Sequence, residues 1–277
     1  MASIATFSAE GRMDLGLRAA RVLVTGGASN IGRGIVHGFA GEGARIAICD
    51  IDGEQANRVR AEALERGADA AEVVRADLTH EGAGRRVVDR VIELWGGLDA
   101  LVNNAGWSVP GFIAEDTDRA RWQRLVEVNL FATIECTQAA IAVMREAGRG
   151  SIVFISSDAA FGEIRQGVYG ATKAAVVALA RTVAKEHGRH GIRSNVVCPG
   201  LVIPESDDAI GATSLWAGGR DAVFTEEQIE SVRKQIPLRR LTTARDVAAA
   251  VVWLSSEPAA RQMTGQVFSV SGGYCMP

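Results

Sequence analysis

The chain has 277 residues, with 30 Lys+Arg against 33 Asp+Glu and a formal net charge of −3. With 47% hydrophobic and 23% charged residues it is not a disordered chain, and without a basic run or stripe it is not a nucleic-acid surface. At roughly 100–200 residues per domain the length fits one large or two small domains, either able to bury a core without disulfide staples.

Residues 1–12 carry Glu10 and no apolar core, so they read as an N-terminal extension and not as a signal peptide. Beyond them, short apolar runs alternate with longer amphipathic stretches. Arg21–Thr25, Arg45–Asp50, Glu72–Asp77, Ala100–Asn104, Ser151–Ser156, Ser194–Cys198 and Gln266–Val270 read as seven strands. Most are rich in Val and Ile without period-2 alternation, as strands buried on both faces are. Helical patterns cover Ile31–Gly41, Glu54–Arg66, Gly82–Trp95, Asp118–Ala147, Val168–Gly188 and Ala244–Ser256. The alternation predicts an α/β fold, a doubly wound parallel sheet of about seven strands with helices on both faces. Residues 201–236 break the rhythm with scattered glycines, Pro204, Trp216 and Phe224. So long an irregular segment past a strand's carboxyl end reads as a lid.

No apolar stretch is expected to cross a membrane. The four cysteines (Cys49, Cys136, Cys198, Cys275) form no C-x-x-C, which favours a reducing, cytoplasmic setting. The four histidines (His37, His80, His187, His190) form no ligand cluster, so no metal site is expected.

The first strand runs into Thr25-Gly26-Gly27-Ala28-Ser29-Asn30-Ile31-Gly32. A glycine-rich turn at a helix N-terminus frees backbone N–H groups for a phosphate. Asp50 ends the second strand, where a carboxylate accepts from an adenosine ribose diol and repels a 2′-phosphate. No Arg or Lys stands between Gly26 and Gly32 or directly after Asp50, which favours NAD over NADP. The chain has only three lysines, and Lys173 stands four residues after Tyr169. On a helix the two share a face, and an ammonium beside a phenol is expected to lower its pKa into a usable acid/base range. Ser156 and Ser157 end the fifth strand, where a hydroxyl is able to hold a substrate oxygen.

These motifs together resemble the classical short-chain dehydrogenase/reductase family, from about Leu15 to Gly273. The pattern comprises the T-G-x-x-x-x-x-G turn, Asp77-Leu78, N-N-A-G at 103–106, Asn129, a serine before Y-x-x-x-K, and Pro199-Gly200. The resemblance implies a catalytic set of Asn129, Ser157, Tyr169 and Lys173. Lys173 would hold the nicotinamide ribose, and Asn129 would keep a water that links the lysine to solvent. It implies an NAD site built from Gly26, Ser29, Asn30, Ile31, Gly32, Asp50, Ile51, Asp77, Leu78, Asn104, Ala105, Gly106, Tyr169, Lys173, Pro199, Gly200 and Val202. It also implies one dinucleotide-binding catalytic domain over 13–277, assembled as a homotetramer or homodimer through the fourth and fifth helices.

Four positions depart from the family pattern. Asn30 replaces the second glycine of the turn, and Asn tolerates positive φ. The serine-to-tyrosine spacing is one residue short. Counting back from the tyrosine selects Ser156, and matching by strand selects Ser157, the preferred assignment. Pro204 stands where a threonine is usual, and Ser271 where an Asp commonly precedes the terminal Gly-Gly.

The activity this implies is NAD-dependent hydride transfer between a secondary alcohol, alicyclic or hydroxyacyl, and its ketone. Trp107, Pro110, Phe112, Trp216 and Phe224 are expected to shape an apolar pocket, and Arg165 is expected to be solvated. A 3-oxoacyl thioester reductase and a non-catalytic dinucleotide-binding scaffold or sensor are the alternatives.

Overall fold

The structure is a computed structural model that describes residues 14–219 and 223–277. The expected extension at 1–12, and residues 220–222 of the expected lid, lie outside the described residues.

The elements, in order, are β1 (Arg21–Thr25), α1 (Asn30–Gly41), β2 (Arg45–Asp50), α2 (Gly53–Glu65), β3 (Ala70–Arg75), α3 (Ala83–Trp95) and β4 (Ala100–Asn103). Then come α4 (Arg119–Val126), a π-helical turn (Glu127–Phe131), α5 (Ala132–Ala147), β5 (Gly150–Ile155), α6 (Gly167–His187) and β6 (Ile192–Pro199). The last are α7 (Glu226–Gln235), α8 (Ala244–Ser255), α9 (Glu257–Ala260) and β7 (Val267–Val270).

All strands pair in parallel in one sheet of order β3-β2-β1-β4-β5-β6-β7. The order reverses between β1 and β4, so their carboxyl ends open a crevice between diverging crossovers, the place where such sheets bind ligands. One core layer packs Ile35, Phe39, Ile46, Val59, Val247 and Val251 under α1, α2 and α8. The other packs Val88, Leu101, Met144, Phe154 and Val176 under α3, α5 and α6. With both faces covered, β1, β4, β5 and β6 are buried through nearly their whole length.

Three sequence expectations need correction. The third strand covers 70–75, not 72–77, which leaves Asp77 and Leu78 in the loop beyond it. The long helix expected over 118–147 is interrupted by the π turn at 127–131, and Asn129 sits in that turn. The segment 201–236 is not irregular throughout: Thr225 and Gln228 form a reciprocal capping box that starts α7.

The stretch 119–147 is long and apolar enough to cross a membrane by length and composition alone. Its apolar side is accounted for by packing, since Cys136, Ala139, Ala140 and Met144 lie in the core.

Candidate active site

The carboxyl ends of β1, β2, β4, β5 and β6 surround a cavity of ≈ 370 Å³. At one end lies the glycine-rich turn. Asn30 has φ +41°, the left-handed region the sequence required of it, and its amide donates to the Val202 carbonyl at 3.2 Å. Ser29 occupies the N-cap position of α1 but makes no side-chain cap, and no acidic residue stands in the first turn. The N-terminus of α1 therefore meets the cavity with its backbone donors uncapped, a built receptor for an anion. Gly26 also has positive φ, and a Cβ there would sit 2.8 Å from the Ala105 backbone. Thr25 braces that contact: its hydroxyl accepts from Asn104 N (3.0 Å) and Ala105 N (3.1 Å).

Asp50 stands at the rim. Its two oxygens accept from Ala28 N (2.9 Å) and Asp52 N (3.0 Å), which fixes the carboxylate, while burial pushes its pKa up. Asp52 in turn caps α2 and accepts from Ala212 N at 2.9 Å, and Gln55 Nε2 donates to the Asp208 carbonyl at 2.7 Å. The 201–219 segment is thus tied down beside the cavity, where Leu215 and Trp216 join the lining.

At the other end Ser156 and Ser157 part ways. The Ser156 hydroxyl is buried and donates to the Lys173 carbonyl at 2.8 Å. Both serines line the cavity, but Ser157 is less buried, and its hydroxyl accepts from Ala159 N at 3.1 Å and meets the Tyr169 phenol.

Tyr169 and Lys173 share a face of α6, with the ammonium 5.7 Å from the phenol ring centre. Burial pushes Tyr169 up to about 12, against the opposing pull of a hydrogen bond with Ser157. Burial also lowers Lys173, only 4% exposed, to about 8. The expected depression of the phenol by the lysine is therefore absent. The ammonium is aimed at the Ile155 carbonyl, 2.9 Å away, and not at the phenol oxygen.

Asn129 is fully buried and does not line the cavity. Its side chain accepts from Trp107 N and donates to the Trp107 carbonyl, both at 2.8 Å. Both polar atoms are engaged in holding the 104–107 loop that follows β4. A Cβ on Gly106 would lie 3.2 Å from both Asn129 Oδ1 and Lys173 Nζ, so glycine there lets the two groups approach.

Gly26, Ser29, Asn30, Ile31, Gly32, Asp50, Ile51, Asp77, Leu78, Asn104, Ala105, Gly106, Tyr169, Lys173, Pro199 and Gly200 all line this one cavity. Val202 does not, because it is buried behind the turn with its carbonyl held by Asn30. Phe112 is 52% exposed and lies outside the lining, and Phe224 backs Trp216 at 6.0 Å. Arg165 is exposed, as expected, with φ +64° and its guanidinium 5.5 Å over the exposed Phe112 ring. Sequence reasoning missed Arg124, which lines the cavity and stacks 5.4 Å over Trp107. No spacing pairs the two in sequence.

A second cleft of ≈ 690 Å³ runs between α1 and α8. Its Arg33 and His37 both meet Glu62 at 2.8 Å, while Glu42, Arg66, Glu205 and Arg245 also line it. No group of three metal-ligating side chains occurs among the described residues.

The sequence model of the family described as "Enoyl-(Acyl carrier protein) reductase" matches residues 26–275. The chain is 35% identical to the L-fucose dehydrogenase of Bos taurus over 91% of its length and 88% of that protein. It is 37% identical to the (3R)-3-hydroxyacyl-CoA dehydrogenase of Mus musculus over 95% of its length and 98% of that protein. Its fold superposes with TM-score 0.84 on a 7α-hydroxysteroid dehydrogenase complexed with NADH and 7-oxo glycochenodeoxycholic acid, at 32% identity, covering 94% of this chain and 96% of that one.

Proposed function

The chain belongs to the classical short-chain dehydrogenase/reductase family, and from that premise we propose that it catalyses NAD-dependent interconversion of a secondary alcohol and its ketone. The observation that carries this reading is the single cavity that joins the uncapped α1 N-terminus and Asp50 to Ser157, Tyr169 and Lys173. The residues fit a dinucleotide. The α1 donors suit a diphosphate, and Asp50 suits a ribose diol. Apart from Arg124 and Lys173 no cation lines the cavity among the described residues, which supports NAD over NADP.

When bound, the nicotinamide supplies or takes the hydride. Ser157 donates to the substrate oxygen and Tyr169 moves the proton between its phenol and that oxygen. Lys173 holds the nicotinamide ribose, and Asn129 positions the 104–107 segment against which the cofactor lies. With its pKa at about 12 the phenol is protonated at neutral pH, the form that ketone reduction requires. Alcohol oxidation requires the phenolate and gains with rising pH.

Trp107, Leu215 and Trp216 line the same cavity, and their apolar surface supports an alicyclic or hydroxyacyl substrate with an apolar body. We place residues 13–277 in one catalytic domain with 201–236 as its lid. A homotetramer or homodimer is supported by Phe131, half exposed on the helix running from 119 to 147. A cytoplasmic setting is supported by free cysteines, three of them buried.

The test is turnover. Purified protein is assayed with NAD and a panel of cyclic alcohols and hydroxyacyl thioesters, beside Tyr169→Phe. Activity lost in the variant supports the reading, and a variant that keeps wild-type turnover overturns it.

A further inference from the structure

Asp158 directly follows Ser157 and opens a single 3-10 turn over 158–161. It is only 7% exposed, and both its carboxyl oxygens are buried without a well-formed hydrogen bond. A buried carboxylate left in that state is costly, because desolvation is uncompensated. The groups that face it come from four parts of the chain. The hydroxyls of Ser269 in β7 and Ser271 just beyond it lie against the carboxyl. Glu163 shares its loop, Cys198 lies in β6 just before its last residue, Pro199, and Cys275 and Tyr274 belong to the C-terminal segment. No cation acts on it among the described residues. Burial pushes its pKa up to about 7, the two serine hydroxyls pull it down, and Glu163 adds a like charge.

The same two segments are joined a second time. The Tyr274 hydroxyl donates to Glu163 at 2.8 Å. Ser269 and Ser271 are hydrogen-bonded at 2.7 Å, and Ser271 Oγ accepts from Cys275 N at 3.1 Å. The 157–163 loop and the 269–275 segment therefore meet at both ends, at Asp158 and at Glu163. The acid form of Asp158 resolves its orphaned state, since its O–H becomes a donor to a serine hydroxyl.

We propose that Asp158 is a positioning residue for Ser157: as a carboxylic acid it clasps the Ser269 and Ser271 hydroxyls and, with the Glu163–Tyr274 bond, fixes the loop that aims the serine at the substrate oxygen. This rests on the reading of Ser157 given above. When the acid loses its proton to solvent, the charge has at most one hydroxyl donor, because the Ser269–Ser271 bond uses the other hydroxyl proton, no cation and the repulsion of Glu163. It regains solvation by moving outward and carries the loop with it. The Ala159 N–H to Ser157 Oγ bond, 3.1 Å long, reports that movement directly.

The experiment uses the full chain without cofactor or substrate, so its outcome is independent of turnover and of NAD binding. Amide hydrogen exchange at Ala159 and Cys275, corrected for intrinsic rate, is compared at pH 6 and pH 8 in wild type and Asp158→Asn. The amide side chain keeps both bonding functions and cannot ionise. Wild-type protection is expected to fall about tenfold, as the acid fraction does one unit above a pKa near 7, and to stay level in the variant. Infrared difference spectra should show one carboxylic-acid C=O band that titrates near neutrality and is absent from Asp158→Asn. Should that variant not fold, Ser271→Ala replaces it and should move the titration to higher pH, because a bond favouring the carboxylate is gone. Equal pH dependence of exchange in wild type and variant, or a carboxyl band that titrates in the ordinary aspartate range, overturns the proposal.

Discussion

Ser156 donates its hydroxyl to the backbone carbonyl of Lys173 at 2.8 Å, so of two adjacent serines that both line the cavity, one has its hydroxyl proton bound into the β5–α6 packing and the other meets the Tyr169 phenol. Ser157→Ala should lower kcat by about 10²–10³, the usual loss for one oxyanion donor, and should also cost about 1 kcal/mol for the lost cap on Ala159 N. Ser156→Ala should lose about 1 kcal/mol of stability for a buried hydrogen bond and keep most of its kcat, since Ser157 still meets substrate. Parallel kcat and urea-unfolding measurements separate the two, because only Ser157→Ala loses more turnover than its stability change explains.

Asn30 is expected to tolerate glycine and to reject alanine. At φ +41° alanine costs about 1–2 kcal/mol in the left-handed region and also loses the bond to the Val202 carbonyl. Asn30→Gly keeps the conformation and loses only that bond. Urea unfolding should therefore rank wild type, Asn30→Gly, then Asn30→Ala, and NADH affinity should follow the same order.

The burial of Lys173 has a pH signature in the ligand-free protein. Its folded pKa of about 8 lies below the ordinary 10.5, so between those values the unfolded chain holds more protons. Stability must then rise as pH goes from 8 to 10.5. Lys173→Met removes this contribution. The variant's advantage in urea unfolding at pH 7, on the order of 3 kcal/mol for a shift of this size, should shrink toward pH 10. A gap that stays constant would place the ammonium in water.

Asp50→Ala should weaken NADH binding at least tenfold and narrow the preference over NADPH, since the carboxylate both holds two backbone N–H groups and repels a 2′-phosphate. Asp50→Asn should fall between, keeping acceptor geometry without the charge. Paired dissociation constants for the two cofactors read both effects.

Much of this architecture is written in local pattern. Buried strands carry Val/Ile runs because both faces are covered, and the left-handed turn position accepts Asn because its short polar side chain tolerates that φ. Other features depend on what tertiary contact adds. Helix α7 has a Thr225-x-x-Gln228 start signal, hidden among the glycines and prolines around it. The π turn that buries Asn129 leaves no composition mark. The division between Ser156 and Ser157 depends on which side of the strand end meets α6. Asp158 reads as an ordinary turn residue until the fold closes over it, and the phenol's upward shift follows from burial that sequence spacing does not report.

The most direct measurement is a titration of the purified protein with NADH and with NADPH, read by energy transfer from Trp107 and Trp216, which both line the cavity. Saturable NADH binding, with NADPH at least tenfold weaker, is the predicted result. Absence of transfer with either cofactor at millimolar concentration would contradict the account, because the α1 N-terminus and Asp50 would then not form a dinucleotide site.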